Sequence, residues 1–139
     1  MKKIISSITE IRVRYADVDQ MKFVYYGKYF EYFEQGRSDL LRSIGMPYPE
    51  IEAMGFFLPV LEAKANYHIP AHYDDLLYIK TILKEVPISK IVIEYEVRNS
   101  NSEKISATGV TTHCFINSQT GKPTRPPEKF LEKIYPLFI

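Results

Sequence analysis

Between Ile8 and Tyr15 apolar and charged residues alternate, with Ile11, Val13 and Tyr15 on one side and Arg12 and Arg14 on the other. A period of two marks a strand with one buried face, so this segment is the first predicted strand. Residues 16–26 break the alternation with two acids, a lysine and no proline, forming a loop whose composition turn chemistry does not explain. From Gly27 to Ile44 the period changes. Tyr29, Phe30, Phe33, Leu40, Leu41 and Ile44 recur at helical spacing, with polar and charged residues largely between them, which predicts one long amphipathic helix. Gly45 is placed to end it, and Pro47 and Pro49 forbid immediate continuation.

Four further strands are predicted over 56–69, 76–86, 90–99 and 104–117, the third with Ile91, Ile93, Tyr95 and Val97 alternating against charges. Val86-Pro-Ile-Ser89 and Asn99-Ser-Asn-Ser102 read as hairpin connections, and a loop punctuated by Gly and Pro precedes a short apolar tail. The order of strand, helix and four strands predicts an α+β fold, a curved antiparallel sheet of about five strands with one long helix on it, as a single domain over 1–139. Ala107, Gly109 and Thr111 recur at period two on the last strand, small residues that would let the helix approach closely.

Composition narrows the partners. With 139 residues, 45% hydrophobic and 25% charged, the chain has the make-up of an ordinary globular domain. Lys+Arg 18 against Asp+Glu 17 leaves a net charge of +1, no field for holding nucleic acid or an anionic membrane. Cys114 is the single cysteine, which excludes an internal disulfide and a multi-thiolate zinc site and leaves a reducing compartment, the cytoplasm, as the expectation. The start, MKKIISSITE, lacks a signal-peptide apolar run, and no stretch of about 18 apolar residues occurs.

The chemistry-bearing residues gather in the loop. Asp17 and Asp19 lie just before the predicted helix, whose first backbone N–H groups have no partners within it and can face a carbonyl oxygen that becomes an anion. A carboxylate beside such donors can attack that carbonyl or activate water against it, although local capping explains an Asp there equally well. His68 and His72 could share a ligand only on a helix, and Pro70 stands between them, so no metal site is expected. Cys114 and His113 are strand neighbours pointing to opposite faces, not a nucleophile-base pair. No Gly-rich phosphate loop or Gly-x-Ser-x-Gly elbow is present. Tyr25, Tyr26, Tyr29, Tyr32 and Tyr67 could line an aryl or acyl pocket or simply fill the core.

The segment Tyr15-Ala-Asp-Val-Asp-Gln-Met-Lys-Phe-Val-Tyr-Tyr-Gly-Lys-Tyr-Phe-Glu-Tyr-Phe-Glu34 resembles the signature of hotdog-fold acyl-CoA thioesterases of the 4-hydroxybenzoyl-CoA thioesterase-like branch. Leu58-Pro-Val60, Tyr67-x-x-Pro70-Ala71 with Asp74-Asp75, and Gly121-Lys-Pro-x-Arg125-x-Pro127 fall where that family has similar elements. The resemblance implies hydrolysis of an acyl-CoA to free acid and CoA, with Asp19 as nucleophile or general base. It implies that Tyr26, as the first helical residue, polarises the thioester carbonyl through its backbone N–H, while Asp17 orders the loop. It further implies no cofactor beyond the CoA of the substrate, contacts from Ser89 and Lys90 to the CoA phosphates, and a homodimer or homotetramer (dimer of dimers) with a shared site. Lys22 stands where most relatives have glycine, so the loop is expected to avoid a glycine-only backbone conformation there. A non-catalytic acyl-CoA or acyl-carrier-protein binding module, and a hydratase on the same scaffold, are the alternatives; the latter wants a histidine in the site, and none lies in the helix-start loop.

Overall fold

The period-two segments become strands because each has one face to bury. The computed structural model describes residues 3–138; Met1, Lys2 and Ile139, the ends of the expected domain, lie outside the described residues. Strands β1 (Ile5–Arg12), β3 (Val60–Tyr67), β4 (Leu76–Leu83), β5 (Lys90–Asn99) and β6 (Ile105–Asn117) form one antiparallel sheet in the order β1-β4-β5-β6-β3. Two short strands, β2 (Phe56–Phe57) and β7 (Pro123–Thr124), pair with the far end of β6. The long helix α1 (Lys28–Ser43) lies on the face formed by Ile11, Leu77, Ile79, Ile91, Ile93, Tyr95 and Val97, all buried. This is the hotdog arrangement.

Register explains how closely α1 sits. Ala65, Gly109 and Tyr95 are cross-strand neighbours on the inner face, and the Phe33 ring lies over them, stacked on Tyr95 at 4.5 Å between centroids. A Cβ on Gly109 would run into that ring, so glycine makes room for the helix there. Gly36 does the same from the helix side, where a Cβ would meet Thr81 Oγ1 and come within 3.2 Å of Ile79. The helix stops as expected: Gly45 adopts φ 80, its N–H reaches Arg42 O, and Met46 N–H reaches Leu41 O.

Several boundaries differ from those read in the sequence. The first strand ends at Arg12; Tyr15 begins a single 3-10 turn (Tyr15–Asp17) and is 79% exposed, because the chain leaves the sheet at Val13. Segment 56–69 is two strands, with Leu58 and Pro59 between them. After Gly45 a short helix α2 (Tyr48–Ala53) forms despite its prolines. Pro47 caps it and Pro49 sits in its first turn, where a missing N–H costs no hydrogen bond. The apolar tail is helix α3 (Glu128–Phe138), which buries Phe130 and Ile134 against Phe115 and the rest of the core.

A polar thread runs through that core. Arg37 Nη1 donates to Tyr95 Oη at 3.1 Å, the Tyr95 and Thr111 hydroxyls are 2.6 Å apart, and Thr111 Oγ1 is 2.8 Å from His113 Nε2. Burial, with the nearby Arg37 charge, pushes the His113 imidazole down to about 4. The folded chain therefore holds His113 neutral in a range where the unfolded chain, with an ordinary value of about 6.5, takes up a proton. Stability is expected to fall as pH drops from about 6.5 toward 4, by on the order of 3 kcal/mol from this group. Urea unfolding at pH 7, 5.5 and 4.5 checks this; His113→Gln should flatten the decline, and equal slopes for both proteins would contradict the assignment.

Candidate active site

The loop from Val18 to Val24 is a miniature hairpin. Val18 and Val24 form a bridge, Asp19 N–H donates to Phe23 O at 2.9 Å, and Lys22 N–H donates back to Asp19 O at 2.9 Å. Asp19 occupies the turn position that favours an acceptor side chain: its Oδ1 takes the N–H of Met21 at 2.8 Å and of Phe23 at 3.3 Å. Among the described residues nothing donates to Oδ2. One carboxylate oxygen is anchored and the other is free. Lys22 has φ 67, the left-handed conformation, so the expectation that a lysine would keep the loop out of that region is corrected. An L-residue can adopt it at modest cost, and the turn requires it.

Asp17 is built differently. Its carboxylate is buried, accepting from Arg14 N–H at 3.0 Å and the Tyr32 hydroxyl at 3.0 Å, with Arg14 at 3.4 Å and Lys28 at 3.8 Å. Burial by itself would raise this carboxyl, but those hydrogen bonds and cations outweigh it and hold it below the ordinary range. Its backbone O receives Tyr25 N–H at 2.8 Å, so it ties the 3-10 turn to the approach of α1. Both of its carboxylate oxygens are engaged by the loop and the helix, so this side chain orders the loop.

Tyr26 was expected as the first helical residue. The helix instead starts at Lys28 with Gly27 as N-cap, because the chain winds in through an earlier turn, Lys28 N–H to Tyr25 O at 2.8 Å. The N–H groups of Tyr26 and Gly27 form no hydrogen bond with any described residue, so the unpartnered donors of the helix start are these two. Tyr26 O receives the Tyr67 hydroxyl at 3.1 Å, which fixes the segment to the end of β3.

Asp19 lines two clefts. One, of about 300 Å³, is walled by Met21, Phe23, Val24, Tyr26, Tyr29, Tyr67, His68, Ile69 and Pro70. Of the tyrosines suggested by the sequence, Tyr26, Tyr29 and Tyr67 meet here, with Tyr29 and Tyr67 rings 5.3 Å apart. Tyr32 is instead spent on Asp17 and Tyr25 lies against Tyr26. Burial lifts the Tyr29 hydroxyl to about 12, so it stays protonated at any physiological pH. The second cleft, of about 890 Å³, is lined by Tyr15, Val18, Gln20, Lys22, His72 and Tyr73.

His68 was missed because it is far from the loop in sequence. The connection from β3 to β4 folds back: Ser106 O receives the N–H of His68 at 2.9 Å and of Ile69 at 3.1 Å, while Phe23 and His72 form a bridge. The motif Tyr67-x-x-Pro70-Ala71 was the available signal. Asp75, from the same stretch, secures the fold-back by accepting from His72 N–H and Asn99 Nδ2, both at 2.8 Å. Ser89 and Lys90 lie elsewhere, in the β4–β5 hairpin. They are at the opposite end of β5 from Asn99, about 30 Å along the strand. Within one chain they do not join Asp19. Among the described residues no three His, Cys, Asp or Glu side chains gather as a metal would need.

Comparison with known proteins agrees with this architecture. The chain is 32% identical to a putative acyl-CoA thioesterase, YneP, of Bacillus subtilis, over 82% of each chain. Its structure superimposes with a TM-score of 0.82 on a DHNA-CoA thioesterase from Staphylococcus aureus, 32% identical, covering 94% of this chain and 84% of that one. A 4-hydroxybenzoyl-CoA thioesterase, 18% identical, shares the fold with a TM-score of 0.83 over 93% of this chain and 98% of its own. The sequence pattern of the thioesterase-like superfamily matches residues 13–134. With that match covering nearly the whole chain, and the hotdog sheet and helix in place, the protein belongs to the thioesterase-like superfamily and is a thioester hydrolase.

Proposed function

We propose that this protein hydrolyses an acyl-CoA to the free acid and CoA, using the Asp19 carboxylate against a carbonyl polarised by the N–H of Tyr26. The observation that carries the reading is the pairing, on one cleft, of a carboxylate with a free Oδ2 and a helix start with unpartnered donors. Two routes begin from that carboxylate. In one, Oδ2 attacks the carbonyl carbon, the C–S bond breaks, and water then cleaves the mixed anhydride. In the other, it takes a proton from a water that attacks directly, and the departing thiolate is reprotonated. Single turnover in ¹⁸O-water separates them, because only the anhydride route can carry label into the enzyme.

No metal and no cofactor beyond the substrate's own CoA enters either route. Exhaustive chelation is expected to leave turnover intact; its loss and rescue by one divalent ion would contradict this. No helix among the described residues is long and apolar enough to cross a membrane, and we place the activity in the cytoplasm on the lone-cysteine argument. The reading itself is tested by thiol release from a panel of aryl-, short- and long-chain acyl-CoAs. Release from none of them would overturn it.

The working unit we propose is a dimer or dimer of dimers. β3 is an edge strand with both faces largely exposed, carrying Val60 and Leu61 into solvent at one end and Tyr67, which lines the acyl cleft, at the other. A strand so placed invites pairing with a second copy. Ser89 and Lys90 could then serve CoA phosphates only from another subunit. Leu61→Lys is expected to weaken association at least about tenfold, as burying one unpaired charge would, and light scattering reads the mass. A wild-type monomer with full activity at micromolar concentration would contradict the shared site.

A further inference from the structure

The start of α1 has no side chain to cap it. Gly27 stands at the N-cap without a side-chain hydrogen bond, and two carbonyls of the first turn are held loosely: Tyr29 N–H reaches Tyr26 O, and Phe30 N–H reaches Gly27 O, both at 3.3 Å. Those are long for amide bonds, and a glycine on one side of the Tyr26–Gly27 peptide puts no side-chain barrier in the way of its rotation. The turn by itself fixes this peptide poorly. Yet its nitrogen carries the Gly27 N–H, and its carbonyl belongs to the residue that carries the Tyr26 N–H, the two donors left without partners among the described residues.

A second hydrogen bond to Tyr26 O comes from outside the helix. Tyr67 Oη donates to it at 3.1 Å, shorter than the helix's own bond to the same oxygen. In a planar trans peptide the C=O and N–H point in opposite directions, so a donor that holds Tyr26 O at one edge aims the Gly27 N–H at the other. Binding at the oxygen also strengthens that N–H as a donor. Tyr67 is a rigid arm for this purpose. It ends β3 opposite Ala107 of β6, and the next two amides, His68 and Ile69, both donate to Ser106 O, which clamps the residue to the sheet. Its ring is braced against Tyr29, with centroids 5.3 Å apart, and lies edge-on to Tyr26. Burial, with the Tyr26 phenol beside it, pushes the Tyr67 hydroxyl up, so it stays protonated and able to donate. Tyr67 is half-exposed, and an acyl group filling the cleft it lines would shield the bond from water.

We propose that Tyr67 is a positioning residue for the hydrolysis: its hydroxyl, through Tyr26 O, holds the helix start so that the N–H groups of Tyr26 and Gly27 face the thioester carbonyl oxygen. This role rests on the acyl-CoA reading above and adds no group to the reacting atoms. Negative charge developing on that oxygen is stabilised best by donors already aimed at it, whereas a peptide free to swing must first be aligned. The sheet supplies the alignment in advance through one hydroxyl.

Tyr67→Phe removes the hydroxyl and keeps the ring, so the packing against Tyr29 and Tyr26 is retained. In the full-length protein its urea midpoint is expected to match wild type while kcat falls at least about tenfold, a part of the roughly hundredfold to thousandfold loss that follows when a carbonyl-polarising donor is removed altogether. KM should stay as in wild type, because the ring still walls the cleft. The polarisation itself is read by infrared difference spectra of the acyl-CoA that wild type cleaves fastest in the panel above, labelled with ¹³C at its carbonyl and bound to Asp19→Asn. Binding should lower the carbonyl stretch, and adding Tyr67→Phe should return it at least half of the way toward the free ester. Lost occupancy would change the intensity of that band and not its position. Unchanged kcat in Tyr67→Phe, a loss carried by KM alone, or the same stretch in the single and double variants would overturn the proposal and leave the hydrolase reading standing. A wild type that cleaves none of the esters would overturn that reading, and this role with it.

Discussion

Asp19→Asn is expected to lower thioester hydrolysis by at least about a hundredfold, the scale of losing a general base or nucleophile. Asparagine has the same shape, and its side-chain oxygen can keep the bonds from Met21 and Phe23 N–H that hold the miniature hairpin. What it cannot supply is the charge on the free oxygen. The unfolding midpoint should therefore stay near that of wild type while turnover collapses. Asp17→Asn should show the opposite division. It weakens a buried carboxylate that takes bonds from Arg14 and Tyr32 and lies near Lys28, so the loss falls on stability, by about 1–3 kcal/mol for charged hydrogen bonds. Steady-state kinetics beside urea unfolding for the two variants reads both effects. Wild-type activity in Asp19→Asn would refute the mechanism.

The second large effect concerns the contact that seats the helix. Phe33→Ala is expected to destabilise the fold by about 3–5 kcal/mol, because a fully buried ring stacked on Tyr95 is removed from a site the neighbours cannot close. Gly109→Ala is expected to destabilise by about 1–3 kcal/mol for the opposite reason, a methyl driven into that ring from a β-strand backbone that has little room to retreat. The two faults are complementary. Combining them should cost clearly less than their sum, since the added methyl enters the space the ring vacated. Denaturant unfolding of the two single variants and the double variant measures the coupling, and strict additivity would show that Phe33 and Gly109 do not meet.

These same residues show where sequence reading succeeds. The inner faces of β5 and β6, the long helix with its Gly45 stop, and the small-residue stripe at Ala107, Gly109 and Thr111 all follow from local rules of period, capping and size. Local rules also located the acidic loop. They did less well where a short segment depends on what it rests against. The tail 128–138 is helical because Phe130 and Ile134 find the core, and α2 forms because its prolines fall where their missing N–H groups go unneeded. Tyr15 reads as strand by alternation but lies outside the sheet, because the chain has already turned away.

The sequence by itself determined the first strand, the long helix, the central strands β4, β5 and β6, the fold class and the place of Asp17 and Asp19 before the helix, since each is written in neighbours within a few positions. Only the tertiary structure decided their division of labour. One is sealed under Arg14, Lys28 and Tyr32, and the other is left with a free oxygen between two clefts. Tertiary structure also decided that β3 pairs with β6 at an edge, that His68 and Tyr67 reach the site from the far side of the chain, and that Ser89 and Lys90 do not. The physical reason is the same in each case. Burial, an unpartnered donor or the wall of a cleft is made by residues dozens of positions apart, and pairing across a sheet leaves no trace in local periodicity.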